Sequence, residues 1–288
     1  MKKWVILLAL ASILIAIYRI DDRARDGFTL SRIAPTFADD PRWDIAVTPE
    51  EITRANEALN QPYKYLGHGF QCYVFVSQDD NYVLKFIRQQ RLQPPVLYEL
   101  LPLTSWRQEK VQAGKKRADY LFCSLKVAFE DVPDETGLLF VHLNKTKNRH
   151  PVVSIVDKAG TSYQVALDAH EFVLQRKASP IKETLAQLMQ EGNVDLAKQR
   201  IDQIFMLLKT CAKKGIADMD TQLIRKNNLG FLPDSCIYVD TGKITRKESM
   251  KSPERFKKDL ERLDPLYDWL KTHYPELAAY FLHENRFL

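Results

Sequence analysis

The sequence predicts an α+β chain of two lobes, a β-rich one followed by a helical one, behind an amino-terminal apolar helix. Three observations carry this. Two β-branched and aromatic runs, Cys72 to Val76 and Tyr82 to Ile87, flank the polar turn "SQDDN", as the arms of a hairpin do. From Ile181 onward the apolar residues recur at helical spacing instead. Before both, the stretch Trp4 to Tyr18 carries no charge.

That first stretch follows "MKK" and spans roughly 22 Å as a helix, against roughly 30 Å of bilayer hydrocarbon. It is expected as an uncleaved membrane anchor over residues 1–20, with Lys3 and Arg19 snorkelling to lengthen it. A cleaved signal peptide is the alternative, since Ala9 and Ala11 form an A-x-A site, but cleavage there leaves the apolar end "SILIAIY". Lys2 and Lys3 on one flank balance Arg19, Arg23 and Arg25 on the other, so orientation stays open.

Residues 21–60 read as a juxtamembrane tether, mixed in charge and broken by Gly27, Pro35 and Pro41, that ends in a short helix. Thr48 supplies that helix with an N-cap, Pro49 stands at its first position, and Glu51 completes a capping box. After the hairpin, Pro94 and Pro95 interrupt the chain and a helix is expected from about Thr104 to Val132. His150 to Ala178 holds three strand-like runs, with a Lys-Ala-Gly turn between the first two. In the second half, Ile201, Phe205, Leu208 and Ala212 form one helical face, stopped at Gly215 behind Lys213 and Lys214. A polar loop then leads to a strand, "CIYVD", and a turn, "TGK". Two tail helices are expected to start at Ser252-Pro253 and Asp264-Pro265.

Composition narrows the function classes. With 288 residues and 45% hydrophobic content the chain can bury a sizeable core. Lys and Arg number 42 against 37 Asp and Glu, a net charge of +5 spread along the chain, so nucleic acid is not an expected partner. Cys72, Cys123, Cys211 and Cys236 form no CxxC pair and lie in apolar runs. A zinc site is not expected; buried reduced thiols are, and the even count leaves disulfides open. His142 and His150 have no metal-ligand spacing with a carboxylate.

The hairpin carries the first chemical signal. Gly67 and Gly69 stand at its entrance, where missing side chains let backbone N–H groups approach an anion. Lys85 sits in an apolar strand between Leu84 and Phe86, and an ammonium there needs to snorkel or to find an anion. Downstream, Asp218 and Asp220 lie in "IADMD", Asn228 follows in the polar loop, and Asp240 opens "DTG".

The order of these parts resembles the protein-kinase-like superfamily: glycine loop on a hairpin, lysine on the next strand, helix, more strands, long helix, Asp/Asn loop, and a strand ending in Asp-x-Gly. Against G-x-G-x-x-G-x-V the chain reads Gly67, Gly69, then Cys72 in the third glycine's place, then Val74. The resemblance implies ATP and Mg²⁺ as cofactors, with Lys85 on the α- and β-phosphates and Glu130 or Glu109 as its glutamate partner. It makes Asp240 and Asn228 the metal ligands, Asp220 the catalytic base in the place of the HRD Asp, and Asp218 the residue in the His position. Asn228 stands twelve residues before Asp240, close to the family spacing, but eight after Asp220 where the family has five. Either three residues bulge out, or Asp218, Asp220 and Asn227 share the roles differently. Only 46 residues follow Gly242, without an APE motif, which argues against a standard protein kinase.

The implied organisation is a kinase-like N-lobe over residues 61–176 and a reduced C-lobe over 177–288. The expected activity is phosphate transfer to an unknown protein or small-molecule hydroxyl. The alternative is a pseudokinase, or a membrane-tethered interaction module.

Overall fold

A computed structural model describes residues 2–93, 104–221, 223–224 and 228–286. The fold is α+β, a curled seven-stranded mixed sheet followed by a mostly helical part. The chain forms two compact units, Met1–Lys115 with His142–Leu174, and Lys116–Val141 with Gln175–Leu288.

The first unit opens with helix α1 (Lys2–Ala24), which leaves Trp4, Leu10, Ile13, Leu14, Ile15, Ile17 and Ile20 more than half exposed. Among the described residues no helix is long and apolar enough to cross a membrane. The segment expected as a tether is packed. Phe28 and Ile33 are fully buried, and the Phe28 ring meets Tyr73, Phe75 and Tyr163 edge-on with centroids 5.1–5.8 Å apart. Its mixed charges find partners, Arg25 with Asp157 at 2.6 Å and Arg32 with Asp22 at 2.6 Å. One buried aromatic contributes about 1.5–3 kcal/mol, enough to hold a polar segment that sequence patterning reads as loose.

Helix α2 (Pro49–Leu59) has the expected capping box, with both Thr48 and Glu51 bonds made. Strands β2 (Cys72–Ser77) and β3 (Tyr82–Ile87) form the hairpin predicted by the alternating runs, and β1 (Tyr63–His68), which the sequence did not mark as a strand, pairs antiparallel with β2 to extend it into a meander. Short helix α3 (Gln89–Leu92) follows; Pro94 and Pro95 lie outside the described residues. Helix α4 (Thr104–Asp131) matches its expected span, a short helix α5 (Pro133–Thr136) closes it, and β4 (Leu138–His142) is a strand that the sequence reading left unassigned. The three strand-like runs are β5 (Val152–Val156), β6 (Ser162–Ala166) and β7 (Phe172–Arg176). The sheet order is β4-β7-β3-β2-β1-β5-β6, with β1 and β5 parallel.

In the second unit, β8 (Ser179–Pro180) precedes α6 (Ile181–Gln190) and α7 (Val194–Lys214). The face predicted for α7 is buried at Ile201, Phe205, Leu208 and Ala212, and the helix stops at Gly215 in the left-handed conformation. Two small sheets follow, one of two strands and one of three. Strand β9 (Ile216–Asp218) pairs with β12 (Ile244–Arg246), while β10 (Leu229–Phe231) lies between β11 (Cys236–Tyr238) and β8. Helices α8 (Pro253–Leu260), α9 (Asp264–His273) and α10 (Pro275–Arg286) complete the chain. Ser252 caps α8 as expected, but Asp264 is the first residue of α9 and caps nothing, because the chain arrives already helical through a 3₁₀ turn at Glu261–Leu263. Helix α10 was not foreseen.

All four cysteines are free thiols. Cys211 and Cys236 are buried, Cys72 is half-buried, and Cys123, contrary to expectation, is exposed on the outer face of α4.

Candidate functional site

The first unit holds the glycine loop and Lys85. Gly67 lies near the end of β1, opposite Val74 and just after a register shift at Tyr65, and Gly69 lies in the turn between β1 and β2. A side chain built at either glycine meets nothing within 4 Å, so packing does not demand glycine there, although Gly67 holds φ 158°, which other residues rarely adopt; what glycine leaves is open backbone. Gly69 N–H donates to the Cys72 carbonyl at 2.9 Å and closes the turn.

Beneath the loop lies Arg88, buried at the end of β3. Its Nη1 donates to the Gly69 carbonyl at 2.6 Å and reaches His68 Nδ1 at 2.8 Å, while the guanidinium lies 4.8 Å from the Tyr73 ring centroid. Strand pairing sets Val74 opposite Lys85, so the residue in the family's valine place neighbours the candidate phosphate lysine. Lys85 is 9% exposed, between Leu84 and Phe86, both fully buried. Of the two candidate glutamates, Glu109 is exposed on α4. Glu130 is held 3.7 Å from both Lys126 and Arg246.

The second unit gathers the acidic residues. Ile244 stands opposite Asp218 in the β9–β12 pair, and Met219 N–H donates to the Lys243 carbonyl at 2.9 Å, which lays the "DTGK" turn beside "IADMD". On the other hairpin Leu229 stands opposite Tyr238, and Val239 N–H donates to the Asn228 carbonyl at 2.8 Å. Asn228 therefore flanks the approach to Asp240. Two strand pairs thus bring Asp218, Asp220, Asn228 and Asp240 to one end of this unit.

Their environments differ. Asp218 is 4% exposed, accepts from Asp220 N–H at 2.9 Å and is bridged by Arg262 at 2.9 Å. Burial pushes its carboxyl up to about 6, against the pull of the Asp220 N–H and the Arg262 charge. Asp220 is more open and pairs with Lys243 Nζ at 3.1 Å. Burial works against the Lys243 ammonium, but the hydrogen bond to Asp220 and the charges of Asp220, Asp240 and Asp218 outweigh it and raise its pKa. Asp240 is exposed, and one oxygen accepts from Gly242 N–H at 3.1 Å. Asn228 is buried, 5% exposed. Asn227 lies outside the described residues.

Sequence reasoning missed Lys243 and Arg262. Lys243 directly follows "DTG" and was legible as a neighbour of the motif. Arg262 left no local signal: it arrives from the tail, binds Asp218 and Asp259, and donates to the Asp220 carbonyl. Beside this loop an open depression of about 370 Å³ is lined by Thr221, Arg255, Lys258, Asp259 and Arg262, among others.

Among the described residues no three of His, Cys, Asp and Glu are grouped so as to hold a metal. The candidate magnesium ligands are one carboxylate and one amide, a hard-oxygen pair suited to Mg²⁺ when substrate phosphates supply further ligands. Comparison with protein-family models gives no match, and comparison with curated proteins gives none either.

Proposed function

We propose that the chain is a membrane-anchored, atypical protein-kinase-like domain that binds Mg-ATP and transfers phosphate to a hydroxyl acceptor. The observation that carries this reading is the convergence of Asp218, Asp220, Asn228 and Asp240 through the β9–β12 and β10–β11 pairs, in the chain order that the resemblance requires.

In this reading the open glycine loop and Lys85 hold nucleotide phosphates, and Asp240 with Asn228 holds magnesium, which neutralises phosphate charge when bound. Asp220, ion-paired with Lys243, is the base for the acceptor hydroxyl. Asp218 shapes the loop: its lone pairs are taken by Arg262 and by the Asp220 N–H. The depression beside Thr221 is the acceptor's approach. Helix α1 is the anchor, its apolar side chains lying against lipid and its charged ends at the interface.

A pseudokinase is the second reading, and the Asp220–Lys243 ion pair favours it, since the lysine occupies a carboxylate oxygen that an acceptor hydroxyl would need. A domain facing away from the cytoplasm, where ATP is scarce, would favour it too.

Nucleotide affinity and turnover of single variants test both. Lys85→Met keeps stem and volume but removes the charge, so it abolishes ATP binding with the fold intact. Asp240→Asn weakens Mg-ATP binding far more than binding of metal-free ATP. Asp220→Asn leaves affinity nearly unchanged and lowers turnover by something on the order of 10²-fold if Asp220 is the base. A wild-type chain that binds Mg-ATP without turnover is a pseudokinase. One whose melting temperature ignores saturating Mg-ATP, where binding at 100 times the dissociation constant stabilises by about 2.7 kcal/mol, is neither.

A further inference from the structure

The glycine loop is unsupported on the side where its missing side chains would point, and what holds it is polar. Arg88 Nη1 spans the Gly69 carbonyl and His68 Nδ1 at 2.6 and 2.8 Å. A guanidinium carries its protons at every relevant pH, so it can only donate. His68 Nδ1 also lies 3.1 Å from the Gly69 carbonyl oxygen, so it accepts from Arg88 in the tautomer with the proton on Nε2 and donates to that carbonyl in the other. That Nε2 faces Asp26 Oδ1 at 3.6 Å, an electrostatic contact longer than a hydrogen bond. Asp26 is itself held in place: the Tyr65 hydroxyl donates to its other oxygen at 3.0 Å and Lys158 Nζ stands 3.9 Å away. It occupies a left-handed turn, φ 54°, immediately after α1, and the next residue's carbonyl accepts from the Tyr73 hydroxyl.

We propose that Asp26 is a positioning residue for the glycine loop, acting through His68 and Arg88, so that the turn ending the apolar helix is part of the apparatus that shapes the nucleotide phosphate site. The Asp26 carboxylate favours the tautomer with the proton on Nε2. Without it the Nδ1–H tautomer competes, sets a donor against the Arg88 donor, and contends with Arg88 for the Gly69 carbonyl, which loosens the arginine's clamp on the loop. The inference rests on the nucleotide-binding reading and extends it to residues that no glycine-loop motif contains.

The test is a double-mutant cycle on the full-length chain in detergent micelles, read as the dissociation constant of a fluorescent ATP analogue with Mg²⁺. Asp26→Asn removes the charge while tolerating the left-handed turn. His68→Asn keeps an acceptor near the Nδ1 position and removes the group that faces Asp26. Asp26→Asn is expected to weaken binding roughly tenfold in the wild-type background and to have almost no effect in the His68→Asn background. Equal effects in both backgrounds overturn the proposal, as does a lowered melting temperature with unchanged affinity, which leaves Asp26 a merely structural residue. Asp26→Glu, which restores the charge, is expected to recover most of the affinity; failure to do so in a folded protein also counts against it. A wild-type chain that binds no analogue removes the nucleotide reading itself, a result distinct from any pattern among the variants.

Discussion

At the scale of single residues, buried carboxyls set the pH response. Glu171, 5% exposed at the start of β7, accepts from Gln89, whose own carbonyl oxygen accepts from Thr36 at 3.0 Å. Burial pushes its carboxyl from 4.5 up to about 7, opposed by the Gln89 hydrogen bond and the Lys145 charge and assisted by Asp39. A carboxyl raised in the folded state stabilises the fold fully below its unfolded value, and this contribution disappears as the pH rises through about 7. The whole effect is on the order of 3 kcal/mol. Glu171→Gln removes the titration: its melting temperature should equal that of the wild type near pH 4 and exceed it increasingly from pH 5 to 8. Parallel curves for the two proteins would mean that Glu171 stays ionised when folded.

At the scale of elements, short strands carry the acidic cluster, and β10 is the one most tightly confined. A side chain at Gly230 would meet the Ala178 Cβ at 2.7 Å, the Ser179 carbonyl oxygen at 3.0 Å and Val239 Cγ2 at 3.0 Å. Ser179 belongs to β8, Ala178 directly precedes it, and Val239 directly follows β11, so neither neighbour can yield without opening the pairing. Gly230→Ala is therefore expected to destabilise the protein by about 1–3 kcal/mol, read as a lower denaturation midpoint. On the functional reading it also weakens Mg-ATP binding, because Asn228 precedes the displaced strand. An unchanged midpoint would show that β8 can move aside.

For the whole molecule, the question is where it resides. Helix α1 exposes Leu14 at 66% and Ile17 at 58%, a cost in water that contact with lipid would remove. If α1 is the anchor, the full-length chain floats with phospholipid vesicles. Leu14→Lys or Ile17→Lys should then lower the bound fraction on the order of 100-fold, since a lysine at mid-helix costs about 2.5–3.5 kcal/mol. Variants that float like the wild type would exclude α1 as the attachment. A protease digest of intact cells carrying a reporter fused after Leu288 then gives the side of the membrane, and with it the access to ATP.

The sequence alone determined the elements whose signals are local: the hairpin around "SQDDN", the capping box at Thr48, the face and stop of α7, and the cap at Ser252. Each rests on residues within a turn or two of one another, where backbone preference and side-chain spacing decide the outcome. The individual candidates Gly67, Gly69, Lys85, Asp218, Asp220, Asn228 and Asp240 were legible in the same way, as unusual residues in apolar or glycine-bearing contexts. Only the tertiary structure decided which of them meet. Strand register brought Val74 against Lys85 and folded "DTGK" beside "IADMD", and a register is chosen by packing and by hydrogen-bond partners far apart in the chain. Burial of Phe28 turned a segment that composition reads as loose into part of the first unit. Arg262 and Arg88 were silent in the sequence for the same reason: an arginine's role is set by the carboxylates and carbonyls that distant segments bring to it.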